Sequence, residues 1–178
     1  MPQERLEEYQ GEVRANLLRA VGITGFYLIE LADFRAGHVD AGFHRAMTAL
    51  AAAWLVSSWG VFGFLRRRVF PPELKYLSTG LDVVYLTAAL LVADGPRSPM
   101  VVIYPLLTML AALRLSLPLV RFAAAGTVAG YLVLVAQARL MRPEFSVPRA
   151  HEAIMLLTLA LGGVLLGQIL RRSRPADA

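Results

Sequence analysis

Two charged side chains stand inside stretches that are otherwise apolar. Asp82 lies in the run LKYLSTGLDVVYLTAALLVA, and Arg114 lies near the end of the next run, SPMVVIYPLLTMLAALRLSL. A charge at such a position is costly unless it faces a partner or a water-filled cavity. Both residues are therefore candidates for a functional site.

Three further residues bear on the role of Asp82. Arg114 and Arg121 flank the turn after the second run, and either of them is a candidate partner for the carboxylate. Tyr85 follows Asp82 by three residues, so on a helix its hydroxyl could donate a hydrogen bond to it. The group is expected to be either a structural ion pair or a ligand or proton site.

A second set of candidates contains metal-ligating side chains. His38, His44 and His151 fall at the ends of apolar stretches, near several carboxylates (Glu30, Asp33, Asp40 and Glu152). Imidazole and carboxylate groups bind zinc, copper or iron, and His44 with His151 is the one pair that could hold a haem. No spacing motif connects these residues, so a metal or haem is not expected.

Other chemistry is limited by composition. Cysteine is absent, which excludes disulfides and thiolate chemistry, and the chain has no HExxH, GxSxG, Walker or dinucleotide-binding motif. We therefore expect no enzymatic function. The net charge is +5, but the arginines cluster beside the ends of apolar stretches, which is typical of membrane proteins and not of nucleic-acid binding.

The elements that position these residues are predicted to be membrane helices. Hydrophobic residues make up 57% of the chain and the mean hydropathy is +0.55, more than a soluble core of this length could bury. The predicted fold is an all-α polytopic membrane bundle of six transmembrane helices. Their predicted ranges are 17–34, 44–65, 74–93, 98–117, 119–138 and 150–170.

The flanking segments set the expected orientation. Residues 1–16 place Leu6, Tyr9, Val13 and Leu17 on one helical face, which predicts an amphipathic helix at the cytoplasmic interface. Residues 17–170 form the transmembrane domain, and residues 171–178 a short basic tail. With both termini cytoplasmic, twelve of the 18 Lys and Arg residues lie inside, as the positive-inside rule requires.

Two pairs of glycines have the spacing that lets helices approach closely. Gly126 and Gly130 form one pair, and Gly163 and Gly167 the other. Each pair predicts a helix contact, either within the bundle or in a homodimer.

The hinge between the two apolar runs resembles that of a known family. The run Ala93-Asp-Gly-Pro-Arg-Ser-Pro-Met100 is similar to the Gly-Gly-x-x-(Ser/Asn)-Pro-Phe hinge of six-helix membrane sensor domains. Such domains precede bacterial histidine kinases, including the quinone-responsive RegB-type, and comparable anchors precede class III nucleotide cyclases. Gly95, Ser98 and Pro99 match the hinge, and the resemblance implies that they contribute to a ligand site.

The expected function is a stand-alone sensory or anchoring module of the bacterial inner membrane. It would bind a small apolar ligand, quinone-like or lipid-like, and signal to a cytoplasmic protein partner through the arginine-rich C-terminus. Asp82 with Arg114 or Arg121 is the expected switch. Two alternatives remain: a structural subunit of a larger membrane complex, and a small ion or proton carrier that uses Asp82.

Overall fold

The computed structural model describes residues 3–67, 71 and 73–172, with side chains from Tyr9 onward. The described residues form α-helices and short 3-10 turns and contain no β-strand, which confirms the all-α prediction. The six helices are α1 (Gln3–Arg35), α2 (Ala41–Arg66), α3 (Leu74–Val92), α4 (Ile103–Ala112), α5 (Leu117–Met141) and α6 (Arg149–Arg172).

Four helices, α2, α3, α5 and α6, are long and apolar enough to cross a bilayer, which indicates a multi-pass membrane protein. Helix α1 is long enough, but Arg19, Glu30 and Asp33 interrupt its apolar stretch. Helix α4 has only 10 residues, about 15 Å of rise, which is short of the hydrocarbon core. Six spans and cytoplasmic termini remain predictions.

The predicted fourth span, residues 98–117, differs most from the structure. Its first residues form a 3-10 turn, Pro99–Val102, and its last residues form the turn before α5. Leu115 in that turn has φ 52°, a left-handed conformation that a helix cannot contain. The apolar run 98–117 is therefore longer than helix α4, because hydropathy does not distinguish a helix from an apolar turn.

The hinge between α3 and α4 is an ordered double turn. Gly95 begins a 3-10 turn, Gly95–Arg97, with φ +57°, which favours glycine. The Ser98 hydroxyl accepts a hydrogen bond from the backbone N–H of Met100 at 3.3 Å, and Pro99 begins the second turn. Each hinge residue matched by the resemblance thus has a structural role in this turn.

Helix α2 begins at a side-chain cap. The Asp40 carboxylate accepts hydrogen bonds from the backbone N–H groups of Phe43 at 3.0 Å and Gly42 at 2.7 Å. These two donors lower the pKa of Asp40 below its usual value. Asp40 is therefore a helix cap in an exposed loop.

Helix α5 packs against α3, α4 and α6 and forms the centre of the bundle. A Cβ at Gly130 would lie 2.7 Å from Thr87 Oγ1, so a side chain there would have to displace the Thr87 hydroxyl; at Gly126 the nearest atom, Val83 Cγ2, would be at 3.5 Å. A Cβ at Gly163 would lie 2.5 Å from the Ala124 Cβ. Both predicted glycine pairs therefore make contacts within the bundle.

The N-terminal half of α1 lies against protein. Tyr9 and Val13, predicted to face the membrane interface, pack against a buried cluster formed by Val61, Leu65 and Leu74. Gly11 approaches the main chain before α5, where a Cβ would be 3.0 Å from the carbonyl oxygen of Leu113. The first half of α1 is thus part of the bundle. Arg68, Arg174 and most of the predicted basic tail lie outside the described residues, as does the side chain of Leu6.

Candidate functional site

Asp82 is buried in α3 and pairs with Arg19 of α1. The Arg19 Nε lies 2.8 Å from one carboxylate oxygen and 2.9 Å from the other, and the two side chains are 2% and 4% exposed. The Trp54 indole N–H, from α2, donates a further hydrogen bond at 2.8 Å. The prediction that Arg114 or Arg121 pairs with Asp82 is corrected: α1 supplies the cation, because it packs deeper into the bundle than its charges suggested.

Arg114 has a different partner, also on α1. Its Nε lies 2.9 Å from a carboxylate oxygen of Glu12, and the two side chains are 3% and 1% exposed. Its Nη1 donates hydrogen bonds to Thr79 Oγ1 at 2.7 Å and to the Lys75 carbonyl oxygen at 3.0 Å. Arg114 therefore ties α1 to the start of α3.

Neither Tyr85 nor Arg121, the other predicted partners of Asp82, contacts its carboxylate through a hydrogen bond or ion pair among those that the structure shows for Asp82. Tyr85 stacks on the Trp54 ring with centroids 5.9 Å apart, so it supports the indole that donates to Asp82. Arg121 is exposed and lines a groove between α5 and α6. Tyr85 therefore lies close to the Arg19–Asp82 pair, whereas Arg121 belongs to a different surface of the bundle.

Sequence reasoning missed the contribution of α1. Glu12, Asn16 and Arg19 are spaced four and three residues apart, which places them on one helical face. Asn16 accepts a hydrogen bond from Arg19 Nη1 at 2.9 Å and donates one to the Ser58 carbonyl oxygen at 3.1 Å. This polar stripe lies on the face of α1 opposite the exposed Leu17 and Leu18. It is the sequence pattern that indicates buried polar contacts on this face.

The two buried ion pairs, Arg19–Asp82 and Arg114–Glu12, form a network that is electrically balanced, with two arginines and two carboxylates. A buried charge without a partner carries a desolvation cost of several kcal/mol, so pairing makes these charges tolerable. Removal of one member of a buried pair typically lowers stability by about 3–5 kcal/mol. Each arginine keeps a buried donor without a hydrogen-bond partner among the described residues, Nη2 of Arg19 and Nη2 of Arg114. Of the two arginines, Arg19 lines the cavity described next.

A cavity of about 630 Å³ lies between α1, α2, the hinge and α4. Its walls are mainly apolar, with Ile23, Met47, Leu50, Ile103 and Leu107 among them. Some lining residues, such as Ile29 at 63% and Leu106 at 49% exposure, also belong to the outer surface. The cavity therefore opens sideways between α1 and α4, toward the region that lipid would occupy.

Polar groups lie at both ends of this cavity. Arg19 and Trp54 line one end, beside Asp82, while Glu30 and the hinge residue Ser98 line the other. Arg19 and Glu30 are eleven residues apart on α1, which corresponds to about 16 Å along the helix. Pro99 also lines the cavity, and Gly95 sets the turn behind it. The arrangement suits an elongated, amphipathic molecule.

The histidines are distributed among separate contacts. His44 Nδ1 lies 3.0 Å from a Glu30 carboxylate oxygen, and its ring stacks on Phe34 with centroids 3.9 Å apart. His38 lies 3.7 Å from Asp33 in an exposed pair, and His151 is exposed at the start of α6. Within the described ranges, no three His, Asp or Glu side chains form a group that could hold a metal ion.

Comparison with known proteins adds no relative: no family model, curated protein or solved structure matches the chain.

Proposed function

We propose that this protein is a non-enzymatic membrane sensor or anchor that binds a small amphipathic molecule in the cavity between α1, α2, the hinge and α4. The ligand class is quinone-like or lipid-like, with an acceptor oxygen on an otherwise apolar body. Binding is passed to a cytoplasmic protein partner. The expected location is the bacterial inner membrane.

The observation that carries the proposal is the unpartnered donor at the cavity end. Arg19 lines the cavity, is buried, and has an Nη2 atom with no described hydrogen-bond partner. A buried donor without an acceptor costs about 1–3 kcal/mol, and a ligand carbonyl or phosphate oxygen would remove that cost. The volume falls within the range of about 300–1,000 Å³ that is usual for small-molecule sites.

The same residue supports a route for the signal. Arg19 holds Asp82, and seven residues earlier on the same helix Glu12 holds Arg114. A ligand that attracts Arg19 would weaken the ion pair between Arg19 and Asp82. If the ligand binds one of two packings of α1 more tightly, its binding shifts α1 toward that packing. The described lining contains no residue of α5 or α6, so the output in this proposal is the N-terminal half of α1, in place of the expected C-terminus.

The binding test uses Trp54 as a reporter. The chain has two tryptophans, and Trp59 is 70% exposed, so Trp59→Phe leaves only the indole that lines the cavity. Titration of this variant in detergent with decyl-ubiquinone should give saturable fluorescence quenching. Arg19→Lys keeps the charge but replaces the guanidinium with a single ammonium group, so no nitrogen remains at the position of Nη2, and binding should weaken about fivefold to tenfold.

Two glycines on α1 supply a matched control. Gly22 lines the cavity and Gly25 does not, and at each position a Cβ would meet no atom within 4 Å. Gly22→Leu should fill the cavity and abolish saturable quenching, whereas Gly25→Leu should leave it unchanged. Equal, unsaturable quenching in all variants would refute the ligand site.

Native mass spectrometry of the gently solubilised protein separates the alternatives. A lone bundle that carries a quinone or lipid supports the sensor. A defined larger assembly without such a ligand would favour the structural subunit and contradict the proposal. Proton uptake into vesicles that Asp82→Asn abolishes would favour the carrier.

A further inference from the structure

A second concavity lies between α5 and α6 and shares no lining residue with the first cavity. Its volume is about 320 Å³, and it is lined by Arg121 near the start of α5 and by Arg171 near the end of α6. Gly163, Val164 and Ala160 of α6 continue the groove away from the two arginines. The groove is therefore cationic at one end and apolar along its length.

The two arginines carry charge that the described protein does not neutralise. Both side chains are exposed, and neither forms an ion pair or hydrogen bond with a described residue. The described lining contains no Asp or Glu. By contrast, Arg19 and Arg114 are each neutralised by a buried carboxylate. The groove thus has a local positive charge that favours an anionic occupant.

We propose that this groove binds one anionic phospholipid, with its phosphate between Arg121 and Arg171 and an acyl chain along Val164 and Ala160. The arginines stand at helix ends, where lipid headgroups lie, and at the end of the bundle that the sequence predicts to be cytoplasmic. Ala160 precedes Arg171 by eleven residues, about 16 Å deeper along α6. A groove of that length accommodates an acyl chain as well as a headgroup.

Charge also argues against a second copy of the chain in this groove. A symmetric dimer would bring four arginines together, and like charges at an interface are strongly unfavourable. Gly163 and Gly167 are already in contact with α5, where added Cβ atoms would lie 2.5 Å from Ala124 Cβ and 3.2 Å from Leu117 Cδ1. The glycines therefore serve the α5–α6 contact and leave the arginines for the lipid.

The test is native mass spectrometry of the full chain titrated with phosphatidylglycerol or with phosphatidylcholine. The wild type should bind one phosphatidylglycerol in preference to phosphatidylcholine. Each arginine near a headgroup contributes about fivefold to the affinity for an anionic lipid. Arg121→Gln with Arg171→Gln should therefore weaken phosphatidylglycerol binding about 25-fold, and the preference over phosphatidylcholine should disappear.

The control removes the same charge from the other end of the bundle. Arg35 and Arg149 are exposed and make no hydrogen bond or ion pair with a described residue, so Arg35→Gln with Arg149→Gln should leave the titration unchanged. Ala160→Phe keeps both arginines but narrows the apolar part of the groove, and should weaken phosphatidylglycerol binding as well.

Three outcomes would overturn the lipid assignment. Equal binding of both lipids by the wild type would show that charge does not select the occupant. Equal losses in the two double variants would show that the effect is one of net charge. Displacement of phosphatidylglycerol by excess inorganic phosphate, with Ala160→Phe behaving as wild type, would assign the site to a free anion.

Discussion

The pairing of Arg19 with Asp82 predicts strong energetic coupling between α1 and α3. We expect Asp82→Leu to leave the Arg19 guanidinium buried and unpaired, and Arg19→Met to leave the Asp82 carboxylate in the same state. Both side chains are at most 4% exposed, so water cannot replace the lost partner. Removing one member of a buried pair costs about 3–5 kcal/mol of stability.

The losses of the two single variants add up to about 6–10 kcal/mol. The double variant should lose much less stability than this sum. In the double variant, two neutral groups lose a hydrogen-bond partner. The Trp54 indole N–H loses Asp82 at 2.8 Å, and the side-chain oxygen of Asn16 loses Arg19 at 2.9 Å. These two groups cost about 2–4 kcal/mol together, since each is a neutral hydrogen-bonding group. The predicted coupling energy, the difference between the summed losses and the loss in the double variant, is therefore at least about 2 kcal/mol.

The free energy of unfolding can be measured by titrating SDS into mixed micelles and following helix content by circular dichroism. Glu144→Gln provides the control, because Glu144 is 62% exposed and lies 3.7 Å from Arg142. An exposed pair of this kind contributes below about 1 kcal/mol. If the losses of the two single variants simply add in the double variant, the ion pair does not hold α1 in place and the reasoning fails.

Three further predictions concern turns and helix contacts. Asp40→Ala should lower the melting temperature at neutral pH; because folding lowers the pKa of Asp40, the cap stabilises fully above the usual value of 3.8 and is lost as pH falls through the lowered pKa. Leu115→Gly should raise stability by about 0.5–1 kcal/mol in denaturant titrations, because φ 52° strains a leucine. Gly130→Ala should cost about 1–3 kcal/mol, since its Cβ would lie 2.7 Å from Thr87 Oγ1 and 2.9 Å from Tyr104 Oη.

Each of these has its own check. Asp40→Ala and the wild type should melt at the same temperature in strong acid, and a difference that persists there would exclude the cap as its cause. Gly126→Ala is the control for Gly130→Ala, because its nearest contact is an ordinary 3.5 Å. Equal losses at both glycines would contradict the packing argument. A loss of stability in Leu115→Gly would contradict the argument that φ 52° strains the leucine.

The buried hydrogen bond between Tyr104 and Thr87 explains why a side chain at Gly130 would be destabilising. Thr87 Oγ1 donates to the Val83 carbonyl oxygen at 2.7 Å, so the Tyr104 hydroxyl, 2.8 Å away, donates to Thr87. Nothing in the sequence marked Tyr104, because an aromatic residue in an apolar run is ordinary core composition. Its significance comes from its position beside Gly130.

The amino-acid sequence alone predicts the helical class, the approximate helix positions and the need of Asp82 for a partner. Apolar runs, prolines and charged ends are local features, and the cost of a charge in an apolar run holds for any fold. For the same reason, the glycine pairs and the ordered hinge at Gly95, Ser98 and Pro99 were visible as patterns before any contact was known.

The partner of each buried charge depends on how the helices pack. Arg19 and Asp82 are 63 residues apart, and no local pattern specifies which helix faces lie together. Arg19 stood near the start of a predicted span, where an arginine can reach the interface, whereas α1 packs so that the same side chain is buried. The cavity likewise arises where α1, α2, the hinge and α4 meet, because the space between helices depends on how they pack.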